Sequence, residues 1–287
     1  MGCHVIPQLL EAGHSVLALA RSDDAIAKVR KLGAEPIAGS HTDLAVLRSA
    51  AQKCDAAIHL AFNHALHFSG GAIEACQQDR AVITAICDAL TESGTGKTFI
   101  NSSGTFGSTG PDETCGKVHM PAMPRDLSEN LTLSYAQRGL RVYNVRLSPV
   151  TVASGWEHPF LATQIARAKA NGFAAYIGDG SQVWPSVNAK DAAALYVLAL
   201  TQGTGHGNLH AVAQEGIAVK DIATFIGGKL SVATKRISLE ESASLGYGFV
   251  GHVMSLSGRT TAEITKKSTG WQPRAPDLWE TLQDYKW

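Results

Sequence analysis

The stretch Gly2-Cys3-His4-Val5-Ile6-Pro7-Gln8-Leu9-Leu10-Glu11-Ala12-Gly13-His14-Ser15-Val16-Leu17-Ala18-Leu19-Ala20-Arg21-Ser22 decides how this chain is read. Val5 to Ala12 has helical apolar spacing, Gly13 closes the helix, and Ser15 to Ala20 is a short run of strand character. The same alternation extends outward. Ala56 to Ala61, Thr98 to Ser103 and Val142 to Leu147 read as buried strands. Asp23 to Leu32, Thr42 to Lys53, Gly71 to Glu92 and Arg125 to Arg138 have helical spacing, with Gly33 and Gly139 as caps and Asp43 in a first turn. Strand alternating with helix implies a parallel sheet covered on both faces, with chemistry in the loops that follow the strands.

After Leu147 the pattern loosens into a helix from Pro159 to Asn171, a strand at Ala174 to Ile177, a helix from Lys190 to Thr201 and a last strand at His206 to Val212. Val219 to Leu230, a small-residue run from Ser242 to Gly251 and a tail bearing Trp271, Trp279 and Trp287 follow. The expected fold class is α/β: a Rossmann-like doubly wound parallel sheet with a smaller interleaved C-terminal substrate lobe. Residues 1–150, completed by about 174–212, form the dinucleotide-binding part, and 151–173 with 213–287 form the substrate lobe.

A dinucleotide unit places a strand and a Gly-rich turn before its first helix, so that pyrophosphate can approach the helix N-terminus. Here only Gly2 stands where the last glycine belongs. The expectation is that a first strand and turn, roughly ten to fifteen residues by ordinary element lengths, are missing ahead of it; the alternative is that Gly2 opens an unrelated helix.

Composition narrows the function. The chain has 287 residues, 45% of them hydrophobic and 17% charged, enough to bury a core and too apolar for disorder. Its 25 basic and 25 acidic residues balance, which leaves no electrostatic footprint for nucleic acid or an anionic membrane. No apolar run approaches the roughly eighteen residues of a membrane span, and Met1 to His4 lacks a signal-peptide pattern. Five cysteines without a Cys-x-x-Cys pair suit free thiols in a reducing compartment. A cytoplasmic protein with a small-molecule partner is expected.

The segments His4 to Ala20, Gly33 to Gly39, Asp55 to Ala61, Phe99 to Thr105, Gly139 to Val142, Arg146 to Pro149, Gly178-Asp179-Gly180, Trp184 to Asn188 and Asp191-Ala192-Ala193, in that order, resemble the atypical or extended short-chain dehydrogenase/reductases, the NAD(P)-dependent epimerase/dehydratase-like group. The resemblance covers nearly the whole chain and implies an NAD(P)-dependent enzyme. It places Gly2, Leu60, Ala61, Phe62, Arg125 and Pro149 along the cofactor, and implies a homodimer formed through the helices at Gly71 to Glu92 and Arg125 to Arg138.

Cofactor choice has a physical handle. An acidic residue after the second strand would bond a ribose 2′-hydroxyl, whereas arginine accommodates a 2′-phosphate. The chain has Arg21-Ser22 there, which favours NADP over NAD, with Arg21 pairing the phosphate and Ser22 donating to it; the alternative is a solvated arginine at a strand end.

Similar reductases use a Ser or Thr to orient the substrate carbonyl and a Tyr-x-x-x-Lys pair to relay a proton. Ser103 suits the first role, with Ser102 and Thr105 as alternatives, but the tyrosine and lysine positions hold Pro121 and Arg125. Arginine is a poor proton relay at neutral pH. Histidine as a residue type suits proton exchange near working pH, so His119 is the first candidate donor, with Tyr176 or water behind it and a non-catalytic loop histidine as the alternative. Trp156, Tyr176 and Trp184 are candidate pocket walls.

Gly104 to Gly110 fits a Gly-x-x-Gly-x-x-Gly spacing but meets Pro111 instead of a helix, so it reads as a wall of the site. Gly96-Lys97-Thr98 lacks the first P-loop glycine, and His59, His64 and His67 lack a completing carboxylate or thiolate, so no metal is expected. The leading expectation is an NADP-dependent oxidoreductase acting on a carbonyl or alcohol; a non-catalytic nucleotide sensor and a sugar-nucleotide epimerase or dehydratase are the rivals.

Overall fold

The computed structural model describes residues 1–154, the backbone of 156–157, and residues 159–287. The chain opens with α1 (Gly2–Glu11), β1 (Leu17–Ala20), α2 (Asp23–Lys31), β2 (Glu35–Ala38), α3 (Leu44–Gln52), β3 (Ala56–His59), α4 (His64–Phe68) and α5 (Ala72–Glu92). It continues through β4 (Thr98–Gly104), α6 (Asp126–Ser134) with a 3₁₀ turn (Tyr135–Arg138), β5 (Arg141–Leu147), β6 (Val150–Ala153), β7 (Trp156–Glu157), α7 (Pro159–Asn171), β8 (Phe173–Ile177) and β9 (Val183–Asn188). Then come α8 (Ala189–Thr201), β10 (Gly207–Ala211), β11 (Gln214–Ala218), α9 (Val219–Leu230), β12 (Ala233–Ile237), α10 (Leu239–Ser244), α11 (Phe249–Met254), α12 (Glu263–Thr269) and α13 (Leu278–Gln283).

Local chemistry sets these boundaries. In α2 the Ser22 hydroxyl accepts from the Ala25 N–H, Asp23 and Asp24 occupy the positive N-terminal turn, and Lys28, Arg30 and Lys31 occupy the negative end. Ser238 with Glu241, and Asp277 with Glu280, form capping boxes on α10 and α13. Gly139 takes φ 84°, a left-handed conformation that lets the chain leave the 3₁₀ turn directly into β5.

Four parallel strands run β10-β5-β4-β3, and a separate parallel pair is β1-β2. Among the described residues no strand joins β1 to β3. Instead α1 lies across both: Val5 and Leu9 pack with Ile58, Leu60 and Ile100, while Ile6 packs with Ala18. This is a Rossmann-like α/β architecture with a second lobe, as the alternation predicts.

The second lobe has its own sheets, β11-β9-β6-β7 and β12-β8. The expected return to the first sheet over 174–212 is therefore later and shorter: β8 pairs with β12 and β9 with β6 and β11, so only α8 and β10 go back. The physical reason is partner choice: an apolar run marks a buried strand but not the sheet it joins.

Register positions the site. Asn101, Asn144 and Asn208 stand opposite one another across β4, β5 and β10, and two residues further Ser103, Arg146 and His210 do the same. Because side chains two apart share a face, these are two polar rungs on one side of the sheet. On the other side Ile100, Tyr143, Val145 and Leu209 pack against Leu195, Tyr196 and Ala199 of α8.

Asp191, in the first turn of α8, ties the C-terminal tail down. Its carboxylate accepts from the N–H groups of Arg274 and Ala275, and its carbonyl accepts from the indole N–H of fully buried Trp271. Hydrogen bonds to a charged acceptor contribute ~1.5–3 kcal/mol each. Asp191→Ala is expected to lower unfolding free energy by about 3 kcal/mol in urea titration, with Asp191→Asn recovering part of it; an unchanged midpoint in Asp191→Ala would remove this anchor.

Candidate active site

The loops at the ends of β3, β4 and β5 gather the predicted groups. Ser102 and Ser103 point to opposite faces of β4. The Ser102 hydroxyl donates to the His59 carbonyl at 2.7 Å and accepts from the Tyr196 hydroxyl at 2.8 Å. Ser102 is thus a structural pin between β3 and α8, which corrects its candidacy as the carbonyl-orienting group. Ser103 is buried on the polar face, its hydroxyl outside hydrogen-bond geometry but close enough to Glu129 to act on that carboxyl. The Thr105 hydroxyl is likewise buried and unpartnered, while its backbone N–H donates to the Leu147 carbonyl at 3.0 Å.

Beneath Ser103 lies a buried ion pair. Glu129 of α6 accepts from Arg146 Nε on both carboxylate oxygens at 3.2 Å and from Nη2 at 2.7 Å. Arg146, 1% exposed, also donates to the Cys115 carbonyl at 2.8 Å and faces Nε2 of His210 at 3.3 Å. His210 Nδ1 is 2.8 Å from the Thr261 carbonyl, which assigns the ring proton to Nδ1 and leaves Nε2 as acceptor. Burial drives the Glu129 carboxyl upward, but Lys117 and then Arg146 outweigh it, with the neighbouring Ser103 hydroxyl adding to the effect, and hold it below the usual carboxylate value.

On the α5 side, buried His59 and Asp79 meet at 2.9 Å. Burial raises the Asp79 carboxyl, yet His59 and Arg125 bring it below its ordinary value. Arg125, at the N-terminus of α6, lies with its guanidinium 3.8 Å from the Phe62 ring centroid, donates to the Ser102 carbonyl at 3.3 Å, and leaves Nη1 buried without a partner. Burial first, then Arg125, lowers the His64 and His67 imidazoles, so both are neutral at pH 7.

His119 is half-exposed, and its Nδ1 is 2.9 Å from Asp126, which is buried at the start of α6. A carboxylate that fixes one ring nitrogen leaves the other to exchange a proton. Of the candidate pocket walls, Trp184 is fully buried, with its indole N–H on the Leu256 carbonyl at 3.0 Å. It belongs to the core, because an interior indole with a satisfied N–H has no face left for a ligand. Tyr176 lies in β8 beneath the Lys220 ammonium, and the Trp156 side chain lies outside the described residues.

The rings that do bridge the two lobes are Phe106, Phe160 and Phe249, linked centroid to centroid at 6.4 and 6.3 Å, with Phe249 meeting His67 and Phe68 of α4 at 5.7 Å.

The cofactor positions divide in two. Arg21 is exposed at the end of β1, whereas the Ser22 hydroxyl is already engaged in capping α2. Gly2 opens α1, whose first turn has no side-chain cap, and a Cβ there would meet nothing within 4 Å. Leu60 is half-buried and Ala61 exposed after β3, and Pro149 is buried between β5 and β6. The open start of α1 and the unpartnered Arg125 Nη1 fit the phosphates and ribose of a dinucleotide.

Sequence reading missed Asp79, Lys117, Asp126 and Glu129. Glu129 carried one signal, its place one helical turn after Arg125; the other three depend on contacts between distant segments.

A model of the NAD dependent epimerase/dehydratase family matches residues 1–212. An uncharacterized protein of Schizosaccharomyces pombe is 40% identical over 285 residues, 98% of this chain and 94% of that protein. An uncharacterized protein of Saccharomyces cerevisiae is 32% identical over 290 residues, 99% of this chain and 94% of its own length. Among solved structures, UDP-glucose 4-epimerase of Thermotoga maritima with UDP-glucose superposes with TM-score 0.75 at 17% identity, covering 99% of this chain and 93% of that one. The dTDP-glucose 4,6-dehydratase of Streptomyces venezuelae with NAD gives 0.75 at 18% identity, over 98% and 92%. Likeness at that identity bears on the fold.

The Glu129 pair makes a pH prediction. A carboxyl whose folded pKa is depressed stabilises the fold above its unfolded value, about 4.3 for glutamate, and that contribution is lost as pH falls through the lower folded value. Glu129→Gln should lose on the order of 3 kcal/mol at pH 7, since Arg146 and Lys117 are left uncompensated, and should show a shallower loss of stability between pH 5 and about 2.5. Urea midpoints across that range check both; equal acid slopes would show that Glu129 is not a contributor.

Proposed function

Because this chain belongs to the NAD dependent epimerase/dehydratase family, we propose that it is an NADP-dependent oxidoreductase acting on a carbonyl or alcohol of a small, partly apolar molecule. The observation that carries the reading is the buried Ser103 hydroxyl at the end of β4, without a fixed hydrogen bond, opposite Arg146 and beside Glu129. A buried hydroxyl with no fixed hydrogen bond, beside the Glu129 carboxylate, can turn its proton to a substrate oxygen.

When bound, the dinucleotide supplies or accepts hydride at the substrate carbon. The chain's residues do the rest. Arg21 would pair the 2′-phosphate, the start of α1 at Gly2 the pyrophosphate, and Arg125, stacked on Phe62, a ribose hydroxyl. Ser103 orients and polarises the substrate oxygen, with Thr105 beside it. His119, held at Nδ1 by Asp126, donates the proton from Nε2 that a tyrosine supplies in similar enzymes; Pro121, at that tyrosine position, cannot. Phe106, Phe160 and Phe249 form the apolar side of the cleft.

No helix among the described residues is long and apolar enough to cross a membrane. We place the protein in the cytoplasm on its free cysteines, and propose a homodimer through α5 and α6, where Ile73 and Leu127 are exposed.

The vacant tyrosine position favours one rival, a sensor that binds NADP(H) without turnover. NADPH oxidation over a ketone and aldehyde panel separates the two. Ser103→Ala should lower kcat/KM at least 100-fold, an oxyanion-type loss of about 2.7 kcal/mol, and His119→Gln should lower kcat by about 10²-fold with NADPH affinity kept. Unchanged rates in Ser103→Ala would refute its role, and NADPH binding without turnover of any substrate would favour the sensor. Separately, Arg21→Asp should weaken NADPH far more than NADH in nicotinamide fluorescence titrations; parallel losses would mean that Arg21 does not read the phosphate.

A further inference from the structure

We propose that Lys117 is the positioning residue of this site: its ammonium draws the carbonyls of Gly104 and Phe106 toward Glu129 and so fixes where Ser103 and Thr105 present their hydroxyls. The proposal rests on the role given to Ser103 above. Lys117 Nζ donates to the Gly104 carbonyl at 2.6 Å and to the Phe106 carbonyl at 2.8 Å, and stands 3.6 Å from Glu129 Oε1, with the lysine side chain 7% exposed. Two carbonyl oxygens aimed at one point repel each other, and a buried cation with three N–H donors reverses the sign of that interaction.

The clamped segment is short: Gly104 ends the β4–β5 pairing opposite Leu147, the Gly107 carbonyl accepts the Val118 N–H at 2.7 Å, and Thr105 between them is held through its own backbone. Its N–H donates to Leu147, and its carbonyl accepts the Ser108 N–H at 3.3 Å and the Ser108 hydroxyl at 2.8 Å. Gly107, with φ 80°, turns the chain just after Phe106, so the carbonyls of Gly104 and Phe106 lie where the strand gives way to the turn and Lys117 supplies their side-chain donor. The Ser108 to Lys117 bridge returns the chain so that Lys117 reaches under the same loop. Lysine from this loop does the holding here, whereas the position on α6 where similar enzymes carry lysine has Arg125.

The charges facing Lys117 come from each neighbouring element. Glu129 on α6 supports the ammonium, while Arg146 on β5 and Arg125 at the start of α6 oppose it. Behind Arg146 stand neutral His210 on β10 and Glu113, whose Oε1 accepts from the Thr265 N–H and hydroxyl. Burial is the largest influence, and together with the two arginines it brings Lys117 down to about 8. The clamp is charged at neutral pH and loses its charge as pH rises through that value.

The test combines a rate with a measurement that needs no substrate. In wild type, kcat for NADPH-dependent carbonyl reduction should fall on an alkaline limb near pH 8 that is absent in Lys117→Arg, which stays charged. Hydrogen–deuterium exchange of the Thr105 amide, corrected for intrinsic pH dependence, should speed up at least 10-fold between pH 7 and 9.5 in wild type, and be fast at both pH values in Lys117→Met. An alkaline limb unmoved in Lys117→Arg, or Thr105 exchange indifferent to both pH and Lys117→Met, overturns the proposal. If Lys117→Met fails to fold, the wild-type and Lys117→Arg comparisons still decide it. Exchange that responds as stated without turnover of any carbonyl supports the clamp and refutes the oxidoreductase reading.

Discussion

The buried Glu129–Arg146 pair is the constraint on which the rest of this site depends. Neither charge is tolerated in the interior alone, so α6 must lie against β5 at one register and one depth. That placement brings Arg125 over Phe62 and Asp126 to His119, because all three residues share the first turns of α6. It also brings the carboxylate under Ser103, whose partner across the sheet is Arg146 itself. The asparagine rung two residues earlier, Asn101 to Asn144 at 3.0 Å and Asn144 to Asn208 at 3.1 Å, fixes the same three strands against slippage. One ion pair and one amide ladder thus convert a sheet register into the arrangement of the buried polar cluster.

How much of this the sequence exposed depended on whether the signal was periodic or relational. The helices Pro159–Asn171 and Val219–Leu230 were legible to the residue, since apolar spacing and capping are local. The alternation that makes the sheet parallel was equally plain. The small-residue run near Ser242 to Gly251 concealed α10 and α11, because tertiary packing there, with Val250 and Val253 buried, overrides weak propensity. Strands β8 and β9 were assigned to the wrong sheet, since an apolar strand reads alike wherever it pairs.

The site shows the same division. Ser103, Arg125 and His119 were proposed by offset from strands and helices, and the structure sets them at the end of β4, at the start of α6 and beside Asp126. That Ser102 is committed to His59 and Tyr196, that Trp184 is core, and that Lys117 reaches back 11 to 13 residues to the Phe106 and Gly104 carbonyls required coordinates. Among the described residues β1 and β3 belong to separate sheets, and α1 packs with residues of both.

Whether hydride leaves the cofactor for good separates an oxidoreductase from an epimerase, in which it returns to the substrate. The direct measurement is mass spectrometry of products formed from carbonyl substrates and NADPH deuterated at nicotinamide C4. One deuterium on the carbinol carbon per NADPH oxidised is the predicted result. Isomerised or dehydrated product without label and without net NADPH consumption would contradict it and return the chain to the epimerase or dehydratase reading.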